Sequence, residues 1–346
     1  MGRRRLATPL LASIGALALL LVVAAGVGSV GIPAGEVLAA VGRGVWRSLA
    51  GAGVGPEAEA TRVIDTIVWQ IRLPRVALAA LVGAALGLAG AGFQGVFRNP
   101  LADPYLLGAA SGAGFAASLA IVSGGAFGLG ALGVPLAAFV GAAATVAVVV
   151  ALARRGWSLP IVPLVLAGVV VGSSLAAGTS FVLLAAREQA AGVLTWLLGS
   201  LAFASWARVA TLLPPVLVAV AVLIAAARSL DVLQLGERAA AQLGLPVEGL
   251  KLTVVAAGTL ATAAAVSVAG VIGFVGLLVP HAVRLAFGPD HRRLVPLSAV
   301  WGAGFMVLAD LVARTVIAPA ELPVGVVTAL VGAPFFLALL RRRVAP

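Results

Sequence analysis

Long apolar runs alternate with short polar links along this chain, and the alternation repeats ten times. The runs cover residues 6–29, 76–97, 105–123, 129–153, 161–186, 209–227, 252–269, 271–287, 297–312 and 324–340. Most approach the ~20 residues that a helix needs to cross a hydrocarbon layer. In lipid every backbone N–H and C=O must be satisfied within the chain, so such runs are read as helices. The pattern predicts an all-α membrane protein, a bundle of ten transmembrane helices. The longest link, residues 30–75, is itself half apolar, and no polar block is long enough for a second domain. Residues 1–346 are therefore read as a single transmembrane domain.

Composition narrows the chemistry. Hydrophobic residues make up 62% of the 346 and charged residues 10%, a balance that no ordinary soluble domain can hide. There are no cysteines, which excludes disulfides, thiol catalysis and cysteine-ligated metals. His281 and His291 are the two histidines, too few for a histidine-built metal site. The net charge of +11 is distributed as topology requires and not as a nucleic-acid surface. With the N-terminus placed in the cytoplasm, the cytoplasmic links hold fifteen of the 23 lysines and arginines. The opposite links hold eight, five of them in the one long link. This positive-inside bias predicts that both termini are cytoplasmic. Arg3, Arg4 and Arg5 before the first apolar run resemble a secretory signal. The run is too long for a typical signal core and is read as the first transmembrane helix; cleavage would leave nine.

Glycine numbers 43. Gly83 and Gly87, Gly108 and Gly112, and Gly168 and Gly172 stand at small-xxx-small spacing, which lets helix backbones approach closely in lipid. These pairs predict a tightly packed bundle.

The links carry the candidate chemistry. Arg72 and Arg75 are three apart just before the second run, beside Trp69. If that turn is helical they share a face, either as rim arginines or as a cationic patch for an acidic partner. Asn99-Pro100 and Asp103-Pro104 force the chain off the helix after the second run. Asp103 is expected to cap the next helix with Pro104 in its first position. In the link 228–246, Asp231 is expected to cap a short helix that Gly236 breaks. Glu237 to Leu243 suits a second one, stopped by Gly244 and Pro246. Such a pair suits docking to a soluble protein or resting on the bilayer. Pro280 predicts a kink. Asp310 and Arg314 are four apart and suit a same-helix ion pair.

Taken in order, residues 69–75, 94–107, 235–246, 270–284, 310–314 and 321–334 resemble the FecCD-type permease subunits of ABC importers for ferric siderophores, haem and vitamin B12. The likeness covers nearly the whole chain. It implies a ten-helix permease of the vitamin B12 type with short cytoplasmic coupling helices, in the bacterial inner membrane. The permease would work as a homodimer, or a heterodimer, with two cytoplasmic ABC ATPases and one extracytoplasmic substrate-binding protein. The resemblance assigns binding-protein docking to Arg72, Arg75 and Arg314. It assigns ATPase coupling to Leu235, Gly236, Glu237, Arg238, Leu243, Gly244 and Leu245. It assigns a cytoplasmic gate to Asn99 and Leu101, with a second part aligned to Ile161 and Val162. Relatives can carry hydroxyl side chains at that second part, so the constriction here would be more apolar.

The resemblance also implies that this chain binds no cofactor and is not itself an enzyme. It has no Gly-x-x-x-x-Gly-Lys-[Ser/Thr], and its only lysine, Lys251, follows Leu250; ATP would be used by the partner subunit. An ion-coupled secondary transporter is the alternative, and it predicts carboxylates buried mid-membrane. An intramembrane serine enzyme finds little support, because Ala109 stands where a Gly-x-Ser-x-Gly elbow needs glycine.

Overall fold

The computed structural model describes residues 2–28, 31–50, 59–124 and 130–344, and these are almost entirely helical. In chain order the helices are α1 (Gly2–Gly26), α2 (Ala34–Ala50), α3 (Glu59–Thr66), α4 (Leu73–Phe97), α5 (Ala109–Val122), α6 (Gly133–Ala153) and α7 (Ile161–Ala185). They continue as α8 (Ala190–Leu197), α9 (Trp206–Leu233), α10 (Glu237–Gln242), α11 (Val247–Ala269), α12 (Val275–Phe287), α13 (His291–Thr315) and α14 (Val324–Val344). Among the described residues, seven helical segments are long and apolar enough to cross a membrane: Thr8–Gly26, Thr61–Phe97, Gly130–Ala153, Ile161–Ala185, Trp206–Leu233, Val247–Ala269 and His291–Thr315. Ala109–Val122, Val275–Phe287 and Val324–Ala338 are shorter apolar helices. Each of the ten apolar runs coincides with one of these segments.

A helix that is apolar on every side belongs in the interior. The apolar window of α4 is 78% buried, as is that of α11, against 11% for α7. The bundle is therefore built around α4 and α11, and α7 turns most of its surface outward. Backbone-to-backbone packing joins α4 to α13. A Cβ at Gly83 would collide with the Gly302 carbonyl oxygen, and one at Gly302 with the Gly83 carbonyl oxygen. Gly87 meets the Ser298 carbonyl in the same way. Only residues without side chains permit this approach, as the Gly83/Gly87 spacing predicts.

Three segments depart from the sequence reading. The half-apolar link before the second run holds two extra helices, α2 and α3. Val37 and Ala40 of α2 are buried together with Ala25, Ile32 and Val68. Arg43 and Arg47 of α2 both reach Asp65 of α3, at 2.5 and 2.8 Å. Trp69 is tied into this layer, donating from its indole N–H to the Ala40 carbonyl at 2.8 Å. A π-helical turn, Ile67–Arg72, then joins α3 to α4, so helix runs without a break into the second apolar run. The third departure is at Asp231. It caps no short helix, because α9 continues to Leu233. Leu230 and Leu233 are fully buried and extend the apolar stripe of α9 past the polar residues. The Asp231 carboxylate instead accepts the His291 N–H at 2.8 Å.

The elbow after α4 forms as expected but in two steps. Asp103 accepts the Tyr105 N–H at 2.8 Å, with Pro104 opening the short turn Pro104–Leu107. Gly108 then turns the chain into α5. Asn99 closes its own turn, its side-chain oxygen accepting the Leu101 N–H at 3.0 Å. The Tyr105 hydroxyl donates to the Ile272 carbonyl at 3.1 Å, which pins the elbow to the extended segment before α12.

Candidate functional site

The expected site residues fall into two clusters at opposite ends of α4. The first lies at its N-terminal end. Arg75, in the first turn of α4, makes a fork to Glu321 at 2.8 and 2.9 Å. Its Nε also donates to both Asp310 oxygens at 3.0 and 3.2 Å. Planar guanidinium matches planar carboxylate at both partners, the geometry that makes arginine pairs strong. Asp310 is shared, because Arg314 Nε lies 3.5 Å from its Oδ2. The same-helix pair expected from the spacing exists, with Arg75 added from α4.

Arg72 and Arg314 both reach back to the end of α1. Arg72 Nη1 donates to the carbonyls of Ala25 and Gly26 at 2.9 and 2.7 Å, and Arg314 Nη2 donates to the Ala24 carbonyl. The last carbonyls of a helix lack intrahelical donors and carry partial negative charge, so two cations close the end of α1. The three arginines are thus gathered at one rim, three cations against two carboxylates. Their side chains point into the protein: Arg72 is 5% exposed, and the side chains of Arg75 and Arg314 are 13% and 7% exposed. Glu321, at 40% side-chain exposure, is the most accessible member. The hydrogen bond from Arg75 holds the Glu321 carboxyl below its ordinary range, and burial opposes this only in part.

The second cluster lies at the C-terminal end of α4. Leu235 and Leu243 project from the chain at 66% and 67% exposure. The short helix between them, α10, starts at Glu237 as the sequence indicates. Gly236 before it has φ +106° and Gly244 after it φ +83°, a left-handed backbone that glycine adopts without strain. Arg238 is exposed and Leu245 half-buried. Beside this hairpin, Gln234 donates to the Gly95 carbonyl of α4 at 2.9 Å, a few residues before Asn99 and Leu101. Asn99 is exposed and Leu101 half-buried. Leu101 lines a small apolar cleft with Phe274, Leu278, His281 and Phe335. Ile161 and Val162 are the first residues of α7, and Val162 is 69% exposed.

Two polar networks here were not singled out from sequence. Gln94 of α4 donates to the Leu277 carbonyl at 3.2 Å and accepts from Arg284 at 3.1 Å, stitching α4 to α12. Lys251, 1% exposed, pairs with Glu237 at 2.7 Å and with Glu248 at 3.1 Å. The available signal was a lone lysine in an arginine-rich chain with a glutamate three residues before it.

The chain is similar to known proteins along most of its length. Residues 16–342 match the FecCD transport family. An uncharacterized ABC transporter permease protein of Bacillus subtilis, YvrB, is 43% identical over 91% of this chain and 88% of its own length. The cobalamin import system permease protein BtuC of Halobacterium salinarum is 48% identical over 81% of this chain and 74% of its own. The hemin transport system permease protein HmuU of Yersinia pestis is 40% identical over 80% and 84%. Among solved structures, an inward-facing conformation of a metal-chelate type ABC transporter superposes with a TM-score of 0.83 and 29% identity, covering 97% of this chain and 99% of that one. An apolar helical bundle with several spanning helices, matched from Ala16 onward almost to its last residues, belongs to the FecCD transport family of multi-pass membrane permeases.

Proposed function

We propose that this chain is the permease subunit of an ABC importer that passes a metal chelate from an extracytoplasmic binding protein into the cytoplasm. An iron–siderophore is the default cargo, with haem and cobalamin as the alternatives. The observation that carries this reading is the likeness along 97% of the chain to a metal-chelate type ABC transporter. Relatives whose names specify cobalamin and hemin support the chelate class. On this reading the ten apolar segments cross the inner membrane with both termini in the cytoplasm, and the bias of basic residues supports that orientation.

On this reading the arginine rim faces the binding protein and the α10 hairpin faces the ATPases. Arg72, Arg75 and Arg314 set a net positive rim that steers an acidic partner. Because they are already paired internally, they orient the partner more than they hold it, as charged rims generally do. Leu235, Gly236, Glu237, Arg238, Leu243, Gly244 and Leu245 form the knob that seats in an ATPase. Two permease copies enclose the path, and the outward apolar face of α7 is the surface available to line it. The gate combines Asn99 and Leu101 with Ile161 and Val162. ATP is hydrolysed by the partner, and this chain supplies shape, path and transmission.

Reconstitution tests the proposal. Proteoliposomes carrying this chain, its ATPase and its binding protein should accumulate one of labelled ferric siderophore, hemin or cobalamin, and only with ATP. Accumulation without any ATPase subunit would instead establish the ion-coupled alternative.

A further inference from the structure

Lys251 is the chain's only lysine, and its ammonium group is enclosed within the protein. An ammonium carries three donors, and each meets one acceptor. They are Glu237 Oε2 at 2.7 Å, Glu248 Oε1 at 3.1 Å and the Leu159 carbonyl at 3.3 Å. The other oxygen of Glu248 accepts the Leu159 N–H at 2.7 Å. Both backbone groups of Leu159 are therefore held by this one cluster, and its side chain is buried as well. Leu159 is followed by Pro160, whose ring fixes φ, and Pro160 leads directly into α7 at Ile161. At the other end, Glu237 is the first residue of α10, which hangs between two glycines in left-handed conformation. Ala240 packs this short helix onto the body of the protein, and its ion-paired tie to that body runs through Glu237.

We infer that Lys251 transmits displacement of α10 to the N-terminus of α7, as a positioning residue for Ile161 and Val162. This rests on the proposed reading that α10 seats in an ATPase and that the start of α7 borders the path. Two contacts, Glu237 to Lys251 and Lys251 to Leu159, span the whole route. The residue type follows from the geometry. Three acceptors surround one point, which suits a compact ammonium. Arginine would bring five donors in a plane to the same enclosed space and leave some unsatisfied.

The test uses the full assembly of permease, ATPase and binding protein in nanodiscs. The absence of cysteine from this chain allows spin labels at single introduced sites, Ala241→Cys on α10 and Val162→Cys on α7. Distances between the two copies are compared with and without trapped ATP. In the parent both sites should shift. In Lys251→Met the α10 shift should persist, the α7 shift should vanish, and substrate moved per ATP hydrolysed should fall about tenfold, the weight of one charge-assisted hydrogen bond. Glu237→Ala cuts the same route while leaving Lys251 on Glu248 and Leu159, and it keeps the test open if Lys251→Met does not fold. An undiminished α7 shift in Glu237→Ala overturns the inference. So does a Lys251→Met protein that melts earlier but moves as much substrate per ATP as the parent, the signature of a mere staple. Absence of any α10 shift in the parent overturns the coupling reading, and the inference falls with it.

Discussion

Arg75 and Asp310, 235 positions apart in sequence, face each other with Nε–H donating to both carboxylate oxygens and Nη2 2.9 Å from Oδ1. The pair joins the start of α4 to the end of α13, and the Asp310 side chain is almost wholly buried. Removing one partner of such a pair costs more than replacing both, because the survivor is left enclosed without its counter-charge. Asp310→Ala should therefore lower the stability of the solubilised protein by about 3 kcal/mol. The double variant Arg75→Met, Asp310→Leu should lose less. Thermal unfolding in detergent measures both, and a double variant that is the less stable of the two contradicts the assignment.

The rim should also report on partner docking. Arg75→Gln removes one cation while Glu321 and Asp310 stay. Binding-protein association, followed by interferometry on nanodisc-held permease, should slow several-fold at low salt and converge with the parent at high salt, where screening removes the steering. Equal association rates at every ionic strength would place docking elsewhere.

Glu321 makes stability sensitive to acid. Its carboxyl is held below the ordinary range first by the hydrogen bond from Arg75. A carboxyl lowered on folding contributes stability that is present above its unfolded value and lost as pH falls through its folded value. Melting temperature should hold through neutral and mildly acidic pH and then drop in the acid range. Glu321→Gln should show a smaller drop there, and the change should be modest because the side chain is 40% exposed.

The contact between Gly83 and Gly302 leaves no room for a side chain on either helix. The obstacle is backbone, which cannot rotate away. Gly83→Val should cost about 1–3 kcal/mol or more through overpacking, seen as reduced folded yield in size-exclusion chromatography. Gly15→Val, where an added Cβ meets nothing, serves as the control and should behave as the parent.

Leu235 and Leu243 project from the hairpin at 66% and 67% exposure. Leu235→Asp with Leu243→Asp should leave the bundle folded and abolish co-purification of the ATPase. Retention of the ATPase by a folded double variant would show that the hairpin is not the seat.

The ten apolar segments were legible because lipid constrains length and composition locally, and every one of them became a helix. Asp103 capping the turn Pro104–Leu107 was legible for the same reason, since cap and the Tyr105 amide are two residues apart. The α10 boundaries followed from Gly236 and Gly244. What stayed hidden depends on partners distant in sequence. Spacing could place Arg72 and Arg75 on one face but could not show that Arg72 ends on the carbonyls of Ala25 and Gly26. Asp231 reads as a cap until Leu230 and Leu233 are seen to be buried, which keeps α9 helical past it. The layer of α2 and α3 is held by Arg43, Arg47 and Asp65 and by Trp69 on Ala40, none of which any local pattern announces.

The meshing of Gly83 with Gly302 has a mechanical consequence. Two helices in backbone-to-backbone contact, fastened at one end by Arg75 and Asp310, cannot slide or part without breaking both attachments at once. They form a keel. Any cycle that opens this protein alternately to either side of the membrane must therefore tilt the peripheral helices, α7 above all, against a fixed centre line.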